Sequence, residues 1–513
     1  MTQGDGQGRD ALAAAQESIR RAAEAGEMDQ ERAPMLEALE AYHAIETVSF
    51  SIPAHKGGGA IDGATRSIVG IEPYRADAPA HKGLDDRISS YQVLSYAQDL
   101  AADAFGADQA LFSTNGSTLS VQIAVLACTH PGQKVAVARN VHKSVISGLV
   151  LSGAHAVWVD PVYDEELALA HAVTPEALER ALDEHPDVNG MLAVSPTAAG
   201  VAADVAGLAA VCHAHGIPLI MDDAWGADFT FHPEMPPGSM ECGADLAIAS
   251  LHKSLTGLMQ TSIILVQGDR IDTERLELAL DAMETTSTSS LLVASMDATR
   301  RELALHGEEL IGRALQLARR AGEEIGAIEG VQLLGPELDG RPGVFARDQT
   351  KVTFDVTGLG ITGYQAADWL YEHRRIGAEL HDMHHVMFLV TIGDDEHAID
   401  ALVAGMRALA DAAPEIGSGR DIPSLPPVER LVGEYAMPPR DAFLGTTRRV
   451  KLREAAGEIA AEPVSPYPPG VPTLVPGQRI RSEHVEFLAT GLAAGMYVEG
   501  VSDPSLDELR VVA

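Results

Sequence analysis

The sequence predicts an α/β protein built on a seven-stranded, mostly parallel sheet with helices on both faces, followed by smaller α+β carboxy-terminal units. Two observations carry that expectation. Between about Gln109 and Gln267, seven short apolar runs alternate with stretches of helical spacing. Hydrogen-bonding residues stand directly after those runs, at the strand ends where open α/β sheets collect ligands. Beyond the sheet, the Gly/Pro-rich Leu334 to Gly343 and the Pro-rich Pro414 to Pro427 break the chain again. The expected units are a helical arm (1–60), a large domain (61–335), a small α/β domain (336–415) and a carboxy-terminal domain (416–513).

The arm is expected as one helix from Ala11 to about Ile45, rich in Ala, Glu and Arg, packing on another subunit or lobe. A glycine-rich loop follows at Pro53-Ala54-His55-Lys56-Gly57-Gly58-Gly59. The seven runs are Ala110 to Ser113, Val135 to Ala138, Ala156 to Val159, Met191 to Val194, Leu219 to Asp222, Leu246 to Ser250 and Ile263 to Val266.

After the first run, Thr114-Asn115-Gly116-Ser117-Thr118 opens a helical pattern, where free N–H groups and two hydroxyls can cradle a phosphate. An ordinary helix cap uses the same residue types. After the second run stands His142, an imidazole at the same sheet edge or, more plainly, a capping residue. Ser195-Pro196-Thr197 adds a hydroxyl after the fourth run. Asp222 ends the buried fifth run, a costly place for a carboxylate unless it meets a cation or several donors. Ser250-Leu251-His252-Lys253 closes the sixth with a lysine, the residue that can form a Schiff base with an aldehyde cofactor, although an arbitrary lysine is a surface residue. Phosphate donors, a carboxylate for a pyridine nitrogen and a Schiff-base lysine on one rim are together what pyridoxal 5′-phosphate requires.

These residues resemble the class-I prokaryotic decarboxylases of ornithine, lysine and arginine, pyridoxal-phosphate enzymes of the aminotransferase-like fold type I. The resemblance runs from about Ser51 to Gln478, and its most specific marker is Ser250-x-His252-Lys253 followed by Gln260-Thr261-Ser262. Supporting matches are Pro53-Ala54-His55-Lys56, Leu84-Asp85-Asp86, Ala97-Gln98 with Phe105-Gly106-Ala107-Asp108, Thr114 to Thr118, Arg139 to Ser144, Pro466-Tyr467-Pro468-Pro469-Gly470-Val471-Pro472 and Pro476-Gly477.

Carried over by position, the resemblance implies that Lys253 joins the cofactor and Asp222 pairs with its ring nitrogen. Asn115, Gly116, Ser117, Thr118, Ser250 and His252 then belong to the phosphate site. His142 lies on one ring face and Ala224 on the other, with Thr197 and Trp225 nearby. Ser287 and Thr288 serve a neighbouring subunit's phosphate site, so the active unit is a homodimer or larger homo-oligomer. Glu379 and His55 are the substrate candidates, a solvated loop carboxylate being the plainer account of Glu379. The implied reaction is decarboxylation of a basic amino acid. Transamination, aldol-type cleavage or oxidation on the same scaffold, or a regulator without chemistry, are the rivals.

Three departures from the family pattern stand out: Ala54 for a glycine, Asp223 and Trp225 in the usual Asp-Glu-Ala-His, and Ala198 where many members carry tyrosine. The response-regulator-like wing of the largest members is absent, so their ring assembly is not expected. A formal charge of −37 disfavours nucleic acid as partner. Acidic charge also serves solubility or salt adaptation. Three scattered cysteines suit reduced thiols rather than disulfides or zinc. No leader pattern or long apolar run is evident, so a cytoplasmic protein without bound metal or membrane span is expected.

Overall fold

The structure is a computed structural model that describes residues 4–43, 48–78, 84, 92–417, 422, 431, 433–467 and 470–513. Asp85, Asp86, Pro468, Pro469 and most of the Pro414 to Pro427 break therefore lie outside the described residues.

The expected sheet is present. Its strands are β1 (Gln109–Ser113), β2 (Lys134–Ala138), β3 (His155–Val159), β4 (Val188–Val194), β5 (Leu219–Asp222), β6 (Leu246–Ser250) and β7 (Ser262–Val266). They run in the order β1-β7-β6-β5-β4-β2-β3. The pairs β2–β3, β2–β4, β4–β5 and β5–β6 are parallel, while β7 runs antiparallel to both β6 and β1. Strands β5, β6 and β7 are buried at every position, as runs without alternation require when helices cover both faces.

The arm differs from the single helix expected. It forms two helices, α1 (Gly4–Ala25) and α2 (Pro34–His43), because Gly26 takes a left-handed φ of 67° and Pro34 starts the second. It packs on the large domain, as the lobe alternative expected: Ile19, Ala22, Met35 and Leu39 enter the same hydrophobic core as the sheet.

A 37-residue helix, α5 (Ser290–Gly326), joins two cores. Ile311 and Leu315 pack into the sheet's core, and Leu317, Ala321 and Ile325 into a second. That second core lies on an antiparallel sheet, β8 (Gln332–Leu334), β9 (Lys351–Asp355), β10 (Leu380–His381) and β11 (His385–Leu389), ordered β8-β9-β11-β10. Since β8 belongs to it, the second unit begins before residue 335. A third core gathers Leu452, Leu474, Phe487 and Val511, with Tyr364 and Met383 of the second unit packed into it.

Candidate active site

A cavity of about 580 Å³ opens at the carboxyl ends of the parallel strands, between all three cores. Among the residues expected at the site, Asn115, Gly116, Ser117, Thr118, His142, Thr197, Asp222, Ala224, Trp225, Ser250, His252, Lys253 and Glu379 all line it.

The helix after β1, α3 (Gly116–Cys128), begins with Asn115 at the cap position, whose side chain makes no capping bond. The ordinary-cap alternative is therefore not how Asn115 is used; the Gly116 N–H donates to the Gln260 carbonyl oxygen at 2.8 Å, and Ser117 and Thr118 of the first turn line the cavity. Ser117 Oγ lies 2.6 Å from Ser250 Oγ and 3.1 Å from Ser262 Oγ, a cluster of hydroxyls drawn from a helix and two strands. His252 Nδ1 is held 2.9 Å from the Thr261 carbonyl oxygen.

His142 caps the next helix, α4 (Lys143–Ser152), accepting from the Ser144 N–H at 3.2 Å, so the plainer account of it is also correct. That bond places the unprotonated nitrogen at Nδ1. Burial, with the Lys253 and Lys143 charges adding to it, pushes the imidazole down to about 4.

Asp222 is 6% exposed, and among the described residues its carboxylate accepts the Ala224 N–H alone, at 3.2 Å. Burial raises its carboxyl above the usual range, against the opposing pull of Lys253. Neighbouring Asp223 points elsewhere, accepts from Ser239 Oγ at 2.8 Å, and is pushed up to about 8 by burial. Of the two adjacent acids, only Asp222 faces the cavity.

Lys253 Nζ sits 4.1 Å from the centroid of the Trp225 ring. Burial lowers it below the usual lysine range, Asp222 and Glu379 oppose that, and Lys351 adds to it. It is therefore no surface lysine. Glu379 is tied by its backbone to the Met387 carbonyl at 2.9 Å and faces the same cavity from the second unit.

Three expected residues are not brought in. His55 pairs with Asp77 at 3.1 Å and sets its ring edge on Tyr74, away from the cavity, because the 53–59 loop folds back on the following helices. Ser287 and Thr288 make local turn bonds with Thr285 and do not line the cavity of their own chain. Residues not singled out as site residues also form walls. Tyr467, Val471 and Phe487 of the third unit line one side, and Tyr163 enters from a short hairpin. Tyr467 stands in the quoted Pro466 to Pro472 motif and was legible there, whereas Tyr163 has no local signal. Ala198 does line the cavity, so its methyl leaves that wall without a hydroxyl.

Pyridoxal 5′-phosphate fits this donor set. The helix start and hydroxyl cluster offer donors to a phosphate, the under-satisfied Asp222 can pair with a ring-nitrogen proton, and Lys253 supplies a primary amine. Together with a sheet of this order, such a rim defines the fold-type-I class of pyridoxal-phosphate enzymes.

Comparison with known proteins narrows the class. The chain belongs to the Orn/Lys/Arg decarboxylase family: the major-domain model matches residues 33–398 and the carboxy-terminal-domain model residues 428–494. It is 38% identical to an arginine decarboxylase of Halalkalibacterium halodurans over 94% of this chain and 98% of the relative. With an arginine decarboxylase of Bacillus subtilis it shares 36% identity over 94% and 99%. The lysine decarboxylase A structure from Pseudomonas aeruginosa superposes with a TM-score of 0.79 at 20% identity, covering 94% of this chain and 80% of that one. The constitutive lysine decarboxylase of Escherichia coli gives 0.76 at 21%, over 95% and 82%. No described helix is long and apolar enough to cross a membrane.

Proposed function

We propose that the chain decarboxylates arginine, with pyridoxal 5′-phosphate joined to Lys253. The observation that carries this reading is that Lys253, Asp222 and the Gly116 helix start share one cavity whose wall bears Glu379. Pyridoxal phosphate supplies the electron sink for the pair left on the α-carbon when carbon dioxide departs.

The chain's own residues do the rest. Lys253 is held in an environment that favours its uncharged, nucleophilic amine. Asp222 keeps a proton on the ring nitrogen, since a buried carboxylate with one N–H donor gains most from a cationic partner. Ser117, Thr118, Ser250 and His252, with the N–H groups of Ser117 and Thr118 at the helix start, would hold the phosphate and fix the ring while the substrate moves. Neutral His142 and Ala224 would flank the ring, with Thr197 and Trp225 completing the lining. Apolar Val471, Phe487 and Met496 limit water at the reacting carbon.

Arginine is favoured over lysine and ornithine because relatives named arginine decarboxylase align over almost the whole chain, whereas the Escherichia coli constitutive lysine decarboxylase is 24% identical. Glu379 is the acceptor for the guanidinium, whose planar fork suits a carboxylate. Ser287 and Thr288, turned away from their own cavity, serve that of a second copy, so the working unit is at least a homodimer. Three free thiols suit a reducing, cytoplasmic setting.

The test is to incubate the pyridoxal-phosphate-loaded protein with arginine, lysine and ornithine, and to measure carbon dioxide, amine, keto acid and peroxide. Carbon dioxide and amine formed fastest from arginine, and lost in Lys253→Ala, support the reading. Keto acid or peroxide as the main product, or no turnover of arginine, overturns it.

A further inference from the structure

Behind the Trp225 indole, outside the cavity lining, lies a buried ion cluster that the decarboxylation reading leaves unused. Lys351 opens β9 of the second sheet, and its side chain and that of Asp348 are both completely enclosed. The two form an ion pair, and Lys351 Nζ also donates to the Trp225 carbonyl oxygen at 2.8 Å. Asp348 Oδ1 accepts from the Thr350 N–H at 2.9 Å and from its Oγ1 at 2.6 Å, which fixes the carboxylate in place.

The cluster reaches the other side of the reactive lysine as well. Asp228, buried a few residues after Trp225, accepts from Ser254 Oγ at 3.2 Å, and Ser254 directly follows Lys253. Its carboxyl is pushed up to about 6 by burial, with Asp348 raising it further and Lys351 opposing. Lys351 thus touches the Trp225 segment on one side of the reactive amine, and Asp228 the Ser254 segment on the other. The backbone is built to allow this approach. Gly200 has a φ of 85°, donates and accepts through its neighbours, and receives the Asp348 N–H at 2.8 Å. A Cβ there would lie 2.8 Å from the Asp348 carbonyl oxygen and 3.2 Å from Lys351 Cβ.

We propose that Lys351 is a positioning residue for the reaction: anchored between Asp348 and the Trp225 carbonyl, it locks the indole against Lys253 and so ties the reactive amine to the second sheet. Lys351 Nζ lies 5.8 Å from the Trp225 ring centroid and Lys253 Nζ 4.1 Å from it, so two ammonium groups share one indole. The Lys351 charge disfavours the charge on Lys253. The remaining groups that face Lys253 are Asp222 from β5, Glu379 from the strand-end beside β10, and His142 and His252 from the sheet rim. Of these neighbours, Lys351 is the cation that comes from the second sheet.

The inference rests on Lys253 being the reactive amine, so the test has one arm that needs no turnover. In cofactor-free protein, Lys253 is labelled with acetic anhydride across alkaline pH and quantified by mass spectrometry in wild type, Lys351→Met, Lys351→Arg and the double variant Lys351→Met/Asp348→Leu. Loss of the Lys351 charge moves the Lys253 labelling midpoint upward by on the order of one pH unit, and Lys351→Arg restores it. In the loaded enzyme, Lys351→Met lowers kcat about tenfold or more with little change in KM for arginine, as expected for misplacement of a reacting group. An unmoved midpoint in folded Lys351→Met overturns the proposal, as does a loss of kcat that only tracks loss of folded protein. If Lys351→Met does not fold, the double variant is read in the loaded enzyme instead: it removes the anchor on the Trp225 carbonyl without stranding a buried charge, and an unchanged kcat overturns the proposal. Absence of arginine turnover in wild type would sink the functional reading alone, since the labelling arm still decides the role of Lys351.

Discussion

Gly470 of the third unit lies against the edge of the His142 imidazole. A Cβ at position 470 would come within 3.0 Å of His142 Cδ2 and 3.3 Å of Nε2. The same residue accepts the Lys143 N–H on its carbonyl at 3.1 Å and holds a φ of 92°. The carboxy-terminal unit is therefore a brace for a ring at the cavity, and not only a cover over it.

Gly470→Ala should lower kcat about tenfold or more by pushing the imidazole toward the cofactor position. It should also cost about 1–2 kcal/mol of stability from the left-handed backbone. Steady-state kinetics beside urea unfolding separates the two effects. If the kinetic loss runs through His142, Gly470→Ala adds little to His142→Ala, and an additive double variant would refute that route.

His142 itself sets a pH window. Folded, it takes a proton only near pH 4, against about 6.5 when unfolded. Above the higher value both states are neutral and the group contributes no pH dependence. Between the two values the unfolded chain binds the extra proton, so stability falls as pH drops, by about 1.4 kcal/mol per unit. His142→Asn keeps a side-chain cap and removes the titration. The stability lost between pH 7 and pH 5, measured by urea unfolding of the cofactor-free protein, should be about 2 kcal/mol smaller in the variant. Identical losses would show that His142 is not the titrating group.

What could be read from the chain divides along local and non-local lines. All seven strands were legible because each is an uninterrupted apolar run, and the rim residues followed because they stand immediately after those runs. The arm was misjudged because Ala/Glu/Arg-rich spacing continues on both sides of Gly26, and only the backbone turn at Gly26 with Pro34 splits it. His55 was carried to the substrate by a motif whose loop, in this chain, finds Asp77 instead. Lys351 was invisible because Lys-Val-Thr-Phe-Asp reads as an ordinary strand opening with a solvated lysine. Its burial depends on Gly200 and on the Trp225 carbonyl, more than a hundred residues away in sequence.

Asp222→Asn tests the ring-nitrogen role without emptying the cavity. A carboxamide in the same place retains the Ala224 N–H contact and loses the charge that favours a protonated partner. Decarboxylation should fall by roughly 10²-fold or more, while Lys253 still captures the cofactor, seen as retained visible absorbance after gel filtration. Retained activity in the variant would remove Asp222 from the mechanism.

A buried ion pair braces the seam between the arm and the large domain. Arg300 and Asp297 meet at 2.6 Å on α5, both essentially enclosed, and each reaches outward. Arg300 donates to the Gln30 and Arg32 carbonyl oxygens at 3.0 and 2.6 Å, and Asp297 accepts the Met35 N–H at 2.8 Å. Asp297→Ala leaves a buried guanidinium without its carboxylate and should destabilise the protein by about 3–5 kcal/mol. Replacing both, as Asp297→Leu/Arg300→Met, removes the uncompensated charge and should recover part of that loss, at the expense of the bonds to residues 30–35. Limited proteolysis reads the difference: cleavage in residues 26–33 should accelerate in both variants, whereas the urea midpoint should fall furthest in the single one. Equal midpoints in the two would show that the lost arm contacts, rather than the stranded charge, dominate the cost.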